Sequence, residues 1–153
     1  MTQPSKIRPA LASDEAKIRT CAEHAYTQYI AAIGRKPAPM LADYAAQIAA
    51  GQVHVCVDEQ GEVQGFIVFF AVGQHLLLEN VAVSTAGQGK GIGKALVRFC
   101  EAQAQQLGLN SVLLYTHVKM TANLAIYPRL GYTEIDRRAE DGFDRVYFEK
   151  RFS

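Results

Sequence analysis

The sequence has no tryptophan, only three cysteines in 153 residues, and no apolar run approaching the roughly 20 residues that a bilayer-spanning helix needs. A membrane protein of the helical kind is thereby excluded. Cys21, Cys56 and Cys100 are odd in number, far apart and without the close spacing of zinc ligands. That pattern excludes a disulfide framework and predicts no metal site, leaving small buried thiols in a reducing compartment. Residues Met1 to Arg8 contain no uninterrupted apolar stretch, so no secretory leader is expected and the predicted location is cytoplasmic. Charge of neither sign dominates: 16 Lys and Arg stand against 15 Asp and Glu, a formal net charge of +1. Such a balance supplies no global field for a nucleic-acid backbone or an anionic membrane, so neither is an expected partner. Any anion must be held by a local arrangement.

What is present is 49% hydrophobic composition, enough for one ordinary globular domain spanning residues 1–153, without repeats, low-complexity tracts or a linker. Ile7 and its neighbours read as a first strand. Ser13 is placed to cap a helix running to Ile33, with Asp14 and Glu15 in its first turn and Gly34 at its end. Pro37 and Pro39 interrupt, and a second helix is expected over Met40 to Ala50. Val53 to Val57 and Val63 to Val72 form a predicted hairpin about Glu59-Gln60-Gly61. A further strand covers His75 to Val83. From Ile92 the apolar spacing becomes helical until Gly108. Ser111 to His117 returns to strand, Ala122 to Leu130 is a short helix, and strands follow near Tyr132 to Asp136 and Arg145 to Phe152. The class is α/β or α+β: one mixed, mostly antiparallel sheet of about six to seven strands, with helices packed on both faces.

The informative stretch joins the strand ending at Val83 to the helix beginning at Ile92 through a glycine-rich turn. Glycines let a backbone approach a ligand and aim its N–H groups at one point, while a helix start adds positive potential, so the element suits phosphate. A P-loop fails on spacing, because Gln88 stands where its first glycine belongs and Ala95 where its hydroxyl belongs. The dinucleotide fingerprint fails as well, since Ile92, Lys94 or Leu96 falls at its third glycine. Gln-x-x-Gly-x-Gly remains.

Gln88-Gly89-Lys90-Gly91-Ile92-Gly93, preceded by Val81-Ala82-Val83, resembles the acetyl-CoA-binding motif of the GNAT superfamily of N-acetyltransferases. Downstream, Asn123 to Tyr132 resembles the second signature of that family, an Asn four residues before a Tyr and then Leu-Gly-aromatic. The resemblance spans essentially the full chain and matches the N-terminal third only in outline. It implies that the strand ending at Val83 splays from the strand ending near His117, and that the pantetheine arm of acetyl-CoA, the acetyl donor, lies along Val81, Ala82 and Val83. It implies a diphosphate held by Gln88, Gly89, Lys90, Gly91, Ile92, Gly93 and Lys94, further cofactor contacts from Asn123 and Tyr127, and no metal. Tyr127 would protonate the departing thiolate. A phenol with an ordinary pKa near 10 keeps its proton at neutral pH and can donate it. Pro128 departs from the commoner pattern and is expected to kink the helix at that point.

An amine acceptor must lose a proton before it attacks. Glu79, inside an apolar strand, is the first candidate base, with His117 and His75 in reserve. Tyr29, Arg35, Glu79 and His117 are the candidate acceptor-binding residues, Arg35 as a partner for a carboxylate; core packing competes for Tyr26 and Tyr29, and solvent for Arg35. The expected activity is direct acetyl transfer to a primary amine of a small or amino-acid-like molecule. Transfer to a protein N-terminus or lysine, and a CoA-binding sensor without turnover, are the alternatives. A homodimer paired through the last strands, with Tyr147 and Phe148, is a further expectation.

Overall fold

The computed structural model describes residues 6–152. Seven strands, β1 (Lys6–Pro9), β2 (Val53–Val57), β3 (Val63–Val72), β4 (His75–Val83), β5 (Ser111–His117), β6 (Thr133–Glu140) and β7 (Phe143–Arg151), hydrogen-bond in the order β1-β2-β3-β4-β5-β7-β6. The β1–β2, β2–β3, β5–β7 and β6–β7 pairs are antiparallel and β4–β5 is parallel, so the sheet is mixed and mostly antiparallel. The helices are α1 (Glu15–Tyr26), α2 (Ile30–Ile33), α3 (Tyr44–Ala49), α4 (Ile92–Gln106) and α5 (Thr121–Arg129). The chain divides into two compact units, each drawn from two stretches of sequence: 6–69 with 80–98, and 70–79 with 99–152.

In the first unit the long helix expected from Ser13 to Ile33 is broken. A 3-10 turn, Ala12–Asp14, precedes α1, and another, Thr27–Tyr29, separates α1 from α2. Ser13 does not cap. Asp14 occupies the N-cap position of α1 without a side-chain capping bond; its carboxylate closes the preceding 3-10 turn, accepting from Leu11 N at 2.8 Å and from both Arg8 Nη atoms at 2.8 and 3.2 Å, and the Arg8 pairing holds the buried carboxyl below its usual range. At the other end, the Thr27 hydroxyl and the Thr27 N–H both engage the Glu23 carbonyl, the back-bonding that bends helices. Gly34 closes α2 in a left-handed conformation, as its position in the sequence suggests. The second expected helix is also shortened. Pro37 precedes a 3-10 turn, Ala38–Met40, that contains Pro39, and Asp43 Oδ1 caps α3 by accepting from Ala46 N at 3.1 Å.

In the second unit β6 and β7 are longer than the sequence reading placed them. Asp141 (φ 54°) and Gly142 (φ 80°) form a two-residue turn with both φ angles positive, the primed geometry that matches strand twist, and the pairing therefore runs up to Glu140↔Phe143. β7 pairs with β5 on one side and β6 on the other, and Phe148 is buried. Tyr147 and Phe148 thus sit on an interior strand and offer no free edge themselves, and β6 is the outer strand of the order. Cys21, Cys56 and Cys100 are free thiols and buried. No helix among the described residues is long and apolar enough to cross a membrane.

Candidate active site

The glycine-rich turn lies wholly in the first unit. After β4, Ser84 Oγ accepts from Gly87 N at 3.2 Å and closes a 3-10 turn, Thr85–Gly87. Gly87 is required by packing: a Cβ there would meet the Gln64 carbonyl oxygen at 2.7 Å. Gly89 (φ +79°) and Gly91 (φ +73°) differ, since both occupy the left-handed region and a Cβ on either would meet nothing within 4 Å. Their need for glycine is conformational, and the space above them is open. Ala95 N donates to Gly91 O at 3.0 Å, which sets the first intrahelical bond of α4 and leaves the N–H groups of Ile92, Gly93 and Lys94 without an intrahelical acceptor. Ile92, 3% exposed, pins the helix start into the core. Lys90 and Lys94 are exposed and pair with no carboxylate among the described residues. Open glycine turns, aimed amides and two available cations fit a diphosphate.

On β4 burial alternates, with Leu76, Leu78, Asn80 and Ala82 inside and His75, Leu77, Glu79, Val81 and Val83 half-exposed. Asn80 is fixed by two tyrosines. The Tyr26 hydroxyl lies 2.6 Å from Asn80 Oδ1 and 2.9 Å from the Val81 carbonyl oxygen, and Asn80 Nδ2 donates to the Tyr44 hydroxyl at 2.8 Å. Tyr26 is therefore a packing residue that orients β4, and Tyr29 is half-exposed in the 3-10 turn beyond it. Arg35 is exposed on the connector that follows α2.

The second unit holds the other candidates. The β4–β5 ladder runs from His75↔Ser111 to Leu78↔Leu114, whereas β4 extends to Val83 and β5 to His117. Tyr127 on α5 is buried, with its ring 6.0 Å from that of Tyr132 and 5.7 Å from that of Phe148. Burial pushes its phenol pKa up, and its hydroxyl makes no hydrogen bond among the described residues, so the group stays protonated and uncommitted. Asn123 Nδ2 donates to Thr116 Oγ1 at 3.1 Å and ties α5 to β5. Pro128 falls at the next-to-last position of α5, where Leu130 N reaches both Ile126 O and Tyr127 O and the helix ends. The Leu-Gly-Tyr that follows is explained by Lys150. Its ammonium reaches Leu130 O at 3.0 Å and Glu101 Oε1 at 3.1 Å, and the Tyr132 hydroxyl donates to Glu101 Oε2 at 2.9 Å. Gly131 (φ +97°) lets the chain turn beside that lysine, where a Cβ would crowd Lys150 Cε at 3.2 Å. The network braces the ring against which Tyr127 packs.

Register sorts the remaining side chains by face. Tyr115↔Tyr147 and His117↔Arg145 are cross-strand partners, so Tyr115, His117, Arg145 and Tyr147 share one face of this unit, and Thr116 and Phe148 belong to the other. Glu79 joins the Tyr115 face, two residues beyond the Leu77↔Leu113 pair, and its charge helps burial to raise the Tyr115 phenol pKa against the opposing pull of Arg145. His117 Nδ1 accepts from Lys119 N at 3.0 Å, which places the proton of the neutral ring on Nε2, and burial lowers its pKa. His75 serves packing. Its Nδ1 lies 2.5 Å from Ser111 Oγ, which donates to Glu149 Oε2 at 3.0 Å, and it stands four residues from Glu79, about 13 Å along a strand. Arg145 and Tyr115 were not singled out from sequence. Alternation alone puts Tyr115 on the half-exposed face, but only the β5–β7 register reveals that an arginine lies over it. Among the described residues no group of three or more His, Cys, Asp or Glu is placed to hold a metal ion.

Comparison with known proteins agrees with the fold. A mycothiol acetyltransferase from Pseudarthrobacter chlorophenolicus is 38% identical over 88 residues, a match covering 54% of this chain and only 27% of that protein. The chain thus spans about a quarter of the length of that curated relative. Among solved structures, a PaiA N-acetyltransferase from Thermoplasma acidophilum in complex with coenzyme A superposes with TM-score 0.80 at 18% identity, covering 98% of this chain and 100% of that one. The ribosomal-protein-S18-alanine N-acetyltransferase of Escherichia coli gives TM-score 0.74 at 19% identity, covering 97% and 94%. These two share the fold. A family model, the acetyltransferase (GNAT) family, matches residues 18–132, and the chain belongs to that family.

Proposed function

We propose that this protein is an N-acetyltransferase that moves the acetyl group of acetyl-CoA to a primary amine of a small or amino-acid-like acceptor by direct attack, without a covalent enzyme intermediate. The observation that carries the reading is the pair of left-handed glycines with open space above them, followed at once by the donor end of α4. The amides of residues 88–94 would hold the diphosphate, with Lys90 and Lys94 adding charge, and the backbone of Val81, Ala82 and Val83 would line the pantetheine arm. Acetyl-CoA supplies an activated acyl thioester. Tyr127 keeps its proton at neutral pH because it is buried, and donates it to the sulfur as the C–S bond breaks. Glu79 receives the proton of the acceptor ammonium directly or through a water, so that a neutral amine attacks. Asn123 holds α5 against β5 and keeps Tyr127 in place. Cys21 and Cys100 take no part: desolvation raises the thiol pKa of Cys21 to about 12 and that of Cys100 further, so neither supplies a thiolate. Three buried reduced thiols also favour a cytoplasmic setting.

The test is release of free CoA thiol from acetyl-CoA across a panel of amines. Release with amino acids or small amines supports the reading. Release only with peptides bearing a free N-terminus or lysine transfers the activity to protein acceptors, and binding of CoA with no release on any acceptor makes the protein a sensor.

A further inference from the structure

Arg145 has a guanidinium that the fold does not use up. Its side chain is 12% exposed, it lies 4.4 Å above the Tyr115 ring and 5.7 Å from that of Phe143, and it makes no hydrogen bond among the described residues. A largely buried group with five N–H donors ordinarily has its partners in the protein. Here the nearest carboxylates stop short: Glu140 Oε1 is 3.9 Å from Nη1 and Asp141 Oδ2 is 3.7 Å away. Glu140 is already committed, accepting from the Tyr147 hydroxyl, and Asp141 is 84% exposed at the hairpin turn. The other arginines of the hairpin are engaged elsewhere. Arg137 forks onto Glu134 at 3.0 and 3.1 Å, and Arg138 donates to Asp136 Oδ2 at 2.6 Å. Arg145 is thus the member with donors to spare, held in orientation by an aromatic ring on the face that carries Glu79.

Resting on the acetyltransferase reading, we infer that Arg145 receives a carboxylate of the acceptor, so that the preferred substrate is an amino-acid-like amine whose ammonium meets Glu79 and whose carboxylate meets the guanidinium. A planar fork matches a carboxylate with two parallel hydrogen bonds. A phosphate would bring a second negative charge into a neighbourhood that already contains Glu79, Glu140 and Asp141, all three of which act on Tyr115, so the singly charged anion is favoured. The exposed Arg35 is not required for this role.

The experiment measures, by calorimetry in the presence of CoA, binding of N-acetyl-L-alanine and of its carboxamide, which differ only in the anionic group. Wild-type protein is expected to bind the carboxylate about 10- to 100-fold more tightly, the range of a charge-assisted pair. R145Q should bind both alike, and R145K should retain a reduced preference. A merely structural arginine would lower the melting temperature on substitution while leaving the ratio of the two affinities unchanged. Equal binding of both probes by the wild type, binding of neither, or a preference that survives in R145Q overturns the inference. Failure of the acetyltransferase reading looks different: the carboxylate preference persists while no amine releases thiol from acetyl-CoA.

Discussion

The two units solve their chemical problems with different materials. In the proposed function the first takes its anion site from main chain, where Gly89 and Gly91 bend the backbone and the amides at the start of α4 lack intrahelical acceptors. The second is proposed to work with side chains, a phenol whose proton is retained by burial, a carboxylate in a strand, and an arginine laid on a tyrosine. A backbone site fails when conformation is lost. A side-chain site fails when one functional group is removed, even though the fold is untouched.

The sharpest way to expose that contrast is Tyr127→Phe. Because the hydroxyl has no hydrogen-bond partner among the described residues, the variant should melt with the wild type, bind CoA normally, and lose about 100- to 1000-fold in kcat for thiol release. Unchanged turnover would remove the phenol from the reaction. Glu79→Gln comes next, with kcat/KM near neutral pH reduced by about 10- to 100-fold. Its loss should shrink as pH rises, since the acceptor ammonium then deprotonates unaided, and a pH–rate profile parallel to the wild type would clear Glu79. In the first unit, Gly91→Val forces a β-branched residue into a left-handed conformation. CoA affinity should fall about tenfold or more, with kcat at saturating CoA less affected. The opposite split would mean that the turn serves catalysis rather than grip. The smallest effect is expected at His117. Burial holds its pKa below 6.5, so the unfolded chain takes up that proton more readily, and the stability the ring contributes is present above pH 6.5 and lost as pH falls through the lower folded value. His117→Gln should flatten the decline of Tm in mild acid and leave kcat nearly unchanged.

The same difference of materials decides what could be read in the sequence. Glycine spacing is a local record of backbone conformation, so the turn from Gln88 to Lys94, the strand before it and the helix after it were legible residue by residue. The face shared by Glu79, Tyr115 and Arg145 depends on register between strands distant in sequence, and alternation within one strand does not state its partner. Local competition accounts for the boundary errors. Thr27 back-bonds and breaks a helix that apolar spacing would continue, Asp14 and not Ser13 stands at the N-cap position with its carboxylate turned back onto Arg8 and Leu11 N, and Asp141-Gly142 is a hairpin signal whose weight was missed.

Titration of isotope-labelled protein with CoA, following each backbone amide by NMR, interrogates the main-chain grip directly. Saturable binding, with the largest shifts at Gly89, Lys90, Gly91, Ile92, Gly93 and Lys94, is the predicted result. Absence of binding, or binding that leaves those six resonances in place while others move, would contradict it.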